Sequence, residues 1–95
     1  MRIKQGQKIF FRKTINAMLP DAEIFLFGSR ANDQLKGGDI DILVIGKDKL
    51  SLQQIRNLKI AFYKQFGQQK IDIVTFKRDE PSTFRELALL DAVRL

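Results

Sequence analysis

The stretch FGSRANDQLKGGDIDILVIG, residues 27–46, decides how this chain is read. It holds a glycine–serine turn at Gly28 and Ser29, a polar loop, and an apolar run that opens with Asp39 and Asp41. A strand this apolar has little structural use for two carboxylates, because burying a charge is costly unless something pairs it. The two aspartates call for a partner.

Working outward, EIFLFG (23–28) reads as a short strand ending at Gly28, and DIDILVIG (39–46) as a second ending at Gly46. Upstream, residues 5–19 carry Phe11, Ile15, Met18 and Leu19 at helical spacing, and Pro20 stops the helix. Downstream, Ser51 with Gln54 three residues on forms a helix-start signature. Leu52, Ile55, Leu58, Phe62 and Phe66 then make an amphipathic stripe, and Gly67 stands where a helix-ending glycine belongs. KIDIVTF (70–76) is a third strand, and EPSTFRE (80–86) opens a last helix with Thr83 and Glu86 as its capping pair.

Strands two and three are joined through a helix, so they are expected to be parallel neighbours by a right-handed crossover. Strands one and two are joined by a loop alone, which favours antiparallel pairing. The expected fold is α/β (α+β): a small mixed three-stranded sheet flanked by helices, in the order α-β-β-α-β-α. At 95 residues, 1–95 is expected to be a single domain.

This topology gathers the carboxylates. Asp39 and Asp41 lie two residues apart on one strand, so they share a face, ~6.5 Å apart along it. If strands two and three run parallel and adjacent, ~4.8 Å apart, Asp72 near the start of the third falls at the same end of the sheet. The first strand runs the other way and delivers Gly28 and Ser29 to that edge. Three such carboxylates would repel and raise one another's pKa values. One or two divalent cations would relieve the repulsion, and two-metal sites hold their ions ~3.5–4 Å apart. Gly28 allows a sharp turn and close approach of a phosphate, and Ser29 offers a hydroxyl and an amide as donors. Carboxylates, metal and a glycine–serine phosphate cradle together suggest a nucleoside triphosphate with its Mg2+.

Composition narrows the chemistry. There is no cysteine and no histidine, which removes disulfides, thiol nucleophiles and a Ser-His-Asp triad, and makes zinc a poor fit. Any metal would be a hard cation on carboxylates. The formal charge of +6 favours a polyanionic partner, either nucleotide phosphates or nucleic acid. The basic residues are scattered without interleaved aromatics, unlike a nucleic-acid stacking platform. No G-x-x-x-x-G-K-[ST] motif is present. No apolar run approaches the ~20 residues of a membrane span, and the N-terminus does not read as a secretion signal, so a cytoplasmic location is expected.

GSR followed after a short loop by GGDIDILV resembles the signature of the polymerase-beta-like nucleotidyltransferases, and within them the minimal nucleotidyltransferases. The resemblance runs from about residue 9 to residue 76. It implies transfer of a nucleoside monophosphate, AMP being favoured, from ATP or another NTP. In such proteins the Gly-Ser pair contacts the triphosphate, which would give Gly28 and Ser29 that role. Asp39 and Asp41 would bind two Mg2+ ions, and Asp72 matches the third carboxylate, which completes the metal site and can assist deprotonation of the acceptor hydroxyl. Arg30 is a candidate for phosphate contact or for a bond within the fold. Nine residues, Arg30 to Gly38, separate Ser29 from Asp39, one fewer than in many relatives. We read this as a variant turn eased by Gly37 and Gly38.

Many members of this family are encoded beside an all-helical HEPN-type protein and act as its antitoxin, in some cases by adenylylating it. The resemblance therefore implies a toxin–antitoxin role, and a protein acceptor as readily as a small molecule. Two other readings stay open: a non-catalytic, nucleotide-binding antitoxin that acts by complex formation, and a basic nucleic-acid-binding module. In the last helix Phe84, Leu87 and Ala88 make one face, while Leu89, Leu90 and Val93 point elsewhere. Either a homo- or hetero-oligomer covers them or the terminal residues fold back on their own core.

Overall fold

The computed structural model describes residues 3–31 and 38–95; of Ser29 it describes the backbone only. Gly37 lies outside the described residues. The elements are α1 (Gln5–Met18), β1 (Glu23–Phe27), a 3-10 turn (Gly28–Arg30), β2 (Ile40–Gly46), α2 (Leu52–Phe66), β3 (Ile71–Lys77), α3 (Thr83–Leu90) and β4 (Val93–Arg94).

The sheet runs in the order β3-β2-β1-β4. As expected, β1 pairs antiparallel with β2 and β2 pairs parallel with β3. The three-stranded expectation needs correction, because β4 adds a fourth strand antiparallel to β1, with Phe25 opposite Arg94 and Leu26 opposite Val93. The Leu95 amide continues this ladder to the Ile24 carbonyl at 2.9 Å. A two-residue strand directly after a helix is too short to show a period of two, so it left no pattern to read.

Alternation along the strands divides the sheet into two faces. Ile24 and Leu26 of β1, Ile40, Ile42 and Val44 of β2, and Ile71 of β3 point into one core with Phe11 and Ile15 of α1 and Leu58 and Phe62 of α2. Its centre is aromatic: Phe11 stacks on Phe62 at 5.4 Å, and Phe62 lies 4.8 Å from Phe66. α2 begins where the Ser51 hydroxyl accepts from the Gln54 amide at 3.1 Å, and the Gln54 Oε1 accepts from the Ser51 amide at 2.9 Å. It ends at Gly67, whose φ of +88° suits glycine best.

The opposite face of the sheet carries Phe27 and Phe76, on which Phe84 of α3 packs at 5.9 and 6.4 Å. α3 is capped by Ser82, whose hydroxyl accepts from the Arg85 amide, and not by Thr83, which is its first residue. The terminal residues do fold back, since Val93 and Arg94 form β4 and Leu95 packs against the core. Leu87 and Leu90 of α3 stay exposed, at 62% and 76%. Asp41 and Asp72 stand on the α3 side of the sheet, away from α1 and α2.

Candidate active site

Register brings the aspartates to one end of the sheet. Asp41 is the direct neighbour of Asp72 across the parallel β2–β3 pair, and Phe27, the last residue of β1, is the direct neighbour of Asp41 on the other side. The chain leaving Phe27 therefore turns immediately beside the Asp41 carboxylate. Gly28 makes that turn with φ +73°, a left-handed conformation. A Cβ built on Gly28 would collide with the Asp41 Oδ2 and stand 3.3 Å from its Cγ. Glycine is thus required twice at this point, for the sign of φ and for the room.

Alanine at Gly28 should cost about 1–2 kcal/mol for the left-handed backbone alone. The intruding methyl should also push the Asp41 carboxylate out of place. We expect Gly28→Ala to remain folded in urea titrations with reduced stability and to lose Mg2+-dependent nucleotide binding in calorimetry. Unchanged binding would show that the turn and Asp41 are not parts of one site.

The electrostatics follow from the crowding. The Asp41 carboxyl is raised above its ordinary value of 3.8, first by burial and then by the charge of Asp72 and a hydrogen bond with it, with Asp39 adding to the effect. Lys70 opposes the rise. Two carboxylates set side by side in this way make a donor set suited to a hard divalent cation, which would remove the repulsion.

Asp39 stands just before β2 and is paired differently. Its Oδ2 lies 3.6 Å from the Lys70 ammonium. Among the described residues no three acidic, histidine or cysteine side chains are already gathered into a metal cage. The structure thus sets Asp41 and Asp72 side by side, with Asp39 next to them on a lysine. For Asp39 to join a metal it would exchange Lys70 for the ion, a small cost for a surface pair.

Arg30, at the end of the turn, donates from Nη2 to the Gly38 carbonyl at 3.1 Å and to the Gln69 Oε1 at 3.5 Å. Gln69 donates to the same Gly38 carbonyl and to the Lys70 carbonyl. A cavity of about 530 Å3, lined by Lys4, Gln7, Arg30, Phe66 and Gln69 among others, opens beside this cluster. None of the three aspartates lines it. Gln69 and Lys70 were not singled out from sequence. The signal was present in the parallel register, since Ile71 opposite Ile40 places the two residues before it beside Gly38 and Asp39.

The sequence matches the nucleotidyltransferase domain family over residues 10–93. No curated protein matches it. Among solved structures, the chain is similar to a toxin–antitoxin complex with AMP-PNP (20% identity, 92% of this chain and 70% of the other covered, TM-score 0.70). It is also similar to the tri-AMPylated Shewanella oneidensis HEPN toxin in complex with the MNT antitoxin (20% identity, 97% and 71% covered, TM-score 0.68). A point mutant of the MntA–HpeT toxin–antitoxin complex gives the same overlap (22% identity, 97% and 71% covered, TM-score 0.68). At these identities the structures share the fold. With the family match spanning nearly all of the sequence, this chain belongs to the nucleotidyltransferase domain family.

Proposed function

We propose that residues 1–95 form one catalytic unit, a Mg2+-dependent nucleotidyltransferase that moves AMP from ATP to a hydroxyl on a HEPN-type protein partner, as the antitoxin of a cytoplasmic toxin–antitoxin pair. The observation that carries this reading is the Asp41–Asp72 neighbour pair with the Gly28 turn packed on it. Support for the acceptor comes from the similar structures, one of which is an AMPylated HEPN toxin bound to an MNT antitoxin.

In this reading the amides of the Gly28–Ser29 turn, with the Ser29 hydroxyl, hold the β- and γ-phosphates. Asp39, Asp41 and Asp72 would hold two Mg2+ ions. Bound there, the ions supply Lewis acidity, lowering the pKa of the acceptor hydroxyl and offsetting charge on the leaving pyrophosphate. The acceptor oxygen bonds to the α-phosphorus as the bond from that phosphorus to the β-bridging oxygen breaks. The hydroxyl proton passes to Asp72, and pyrophosphate departs. Lys70, already within 3.6 Å of Asp39, is placed to meet phosphate charge once Asp39 engages an ion.

The test is intact-mass measurement of the HEPN-type partner after incubation with this protein and Mg2+-ATP. We expect a gain of one or more AMP units that disappears with Asp39→Asn. A stable complex without mass gain from either version would mean that the protein acts by binding alone.

A further inference from the structure

We infer that Arg30 and Gln69 form a positioning clamp on the Gly38 carbonyl that fixes Asp39 relative to the phosphate-binding turn. The inference rests on the reading of Asp39 as a metal ligand and names residues that would hold it in place.

The geometry is that of a three-way junction. Arg30 ends the 3-10 turn that begins at Gly28, Gly38 immediately precedes Asp39, and Gln69 leads into β3. The Gly38 carbonyl accepts from both Arg30 Nη2 and Gln69 Nε2. Gln69 Oε1 in turn receives Arg30 Nη2 at 3.5 Å, so the two side chains also brace each other. Next to the clamp, the Ile40 amide donates to the Lys70 carbonyl at 3.0 Å, and that carbonyl also accepts from Gln69 Nε2 at 3.2 Å. The turn, the approach to β2 and the entry to β3 therefore meet on two backbone carbonyls, those of Gly38 and Lys70, beside Asp39.

Exposed Gly38 has no side chain of its own with which to hold this place. Without the two donors, the nearest backbone restraint among the described residues is the β2–β3 ladder that begins at Ile40. A guanidinium suits the task because its plane fixes the direction of the Nη2 donors that reach both acceptors, a constraint a lysine ammonium lacks. Residues that orient a metal ligand without touching the ion typically change metal affinity about 10–100-fold when lost.

The experiment compares Arg30→Met, Gln69→Leu and the double variant with the full wild-type chain. Two binding measurements are made, affinity for AMP-PNP and the Mg2+ midpoint for that binding, together with amide hydrogen exchange of the ligand-free protein. We expect each single variant to raise the Mg2+ midpoint about tenfold. The affinity for AMP-PNP at saturating Mg2+ should change far less, and the double variant should match the worse single, as expected for residues acting as a unit. Exchange at the Asp39 and Ile40 amides should quicken about fivefold in every variant. Arg30→Lys should recover part of both effects.

Unchanged exchange at Asp39 and Ile40 in folded variants would overturn the clamp. So would a loss of AMP-PNP affinity on Arg30→Met that Gln69→Leu does not share, because Arg30 would then be a phosphate ligand. Wild-type protein that fails to bind AMP-PNP with Mg2+ would instead refute the proposed function, and the exchange result would still decide the clamp.

Discussion

Asp41→Asn should abolish nucleotide transfer while making the protein more stable. The loss of transfer follows from position, because Asp41 is the carboxylate placed between the Gly28 turn and Asp72. Charge stabilisation by bound metal is worth several kcal/mol in a transition state, and about 4 kcal/mol corresponds to ~10³-fold in rate. The gain in stability follows from the raised Asp41 pKa. Below 3.8 the carboxyl is protonated in both the folded and the unfolded chain. Between 3.8 and the higher folded value, the folded protein keeps a proton that the unfolded chain has released, so stability falls as pH rises through this window. Above the folded value the penalty is constant, and asparagine removes it.

Because Asp41 is partly open to solvent, screening holds the gain to about 1 kcal/mol or less. A domain of this size gains roughly 4–8 °C per kcal/mol. Thermal melts in chelator at neutral pH should therefore place Asp41→Asn a few degrees above wild type, with the difference closing as the pH approaches 3.8. Added Mg2+ should raise the wild-type melting temperature and leave the variant where it is. A variant less stable than wild type at neutral pH would mean that the Asp41 charge is not in conflict with its surroundings.

Phe62→Ala should bring the protein close to unfolding. Phe62 is fully buried, stacks on Phe11 and meets Phe10 and Phe66 at 5.5 and 4.8 Å. Removing a buried phenyl ring costs about 3–5 kcal/mol, and the ring pairs lost with it belong to the same core. Domains have only about 5–15 kcal/mol in total. The urea midpoint should drop by about 2 M or more. On the same helix Leu52 is 86% exposed, and Leu52→Ala should stay within about 0.5 kcal/mol of wild type. Similar losses from the two variants would show that α2 is not packed as described.

How legible this protein was depends on the range of the interaction concerned. The α2 cap at Ser51 and Gln54 is local, and it could be read from four residues. The parallel pairing of β2 with β3 was also readable, because a crossover helix leaves few other arrangements. From that pairing came the placing of Asp72 at the same end of the sheet as Asp41, though not their direct opposition. The β4 strand was hidden because two residues carry no period. The placing of Asp39 beside Lys70 was hidden for a different reason. It needs the register of the pair, and a shift of one residue would have moved Lys70 to another neighbour. The Arg30–Gln69 contact joins residues 39 apart through side-chain amide and guanidinium groups, which no periodicity records.

The sheet order leaves β3 as an outer strand among the described residues, with Asp72 exposed near its start and Lys77 exposed at its end. An outer strand offers unpaired backbone donors and acceptors to any other extended chain, and charges along it are what discourage that pairing. Asp72 is such a charge, and under the proposed function the same carboxylate would also serve the chemistry. Neutralising it to silence the enzyme would also remove a guard against self-association. For this position, an inactive protein and an aggregated one must be told apart before the loss of activity is assigned to chemistry.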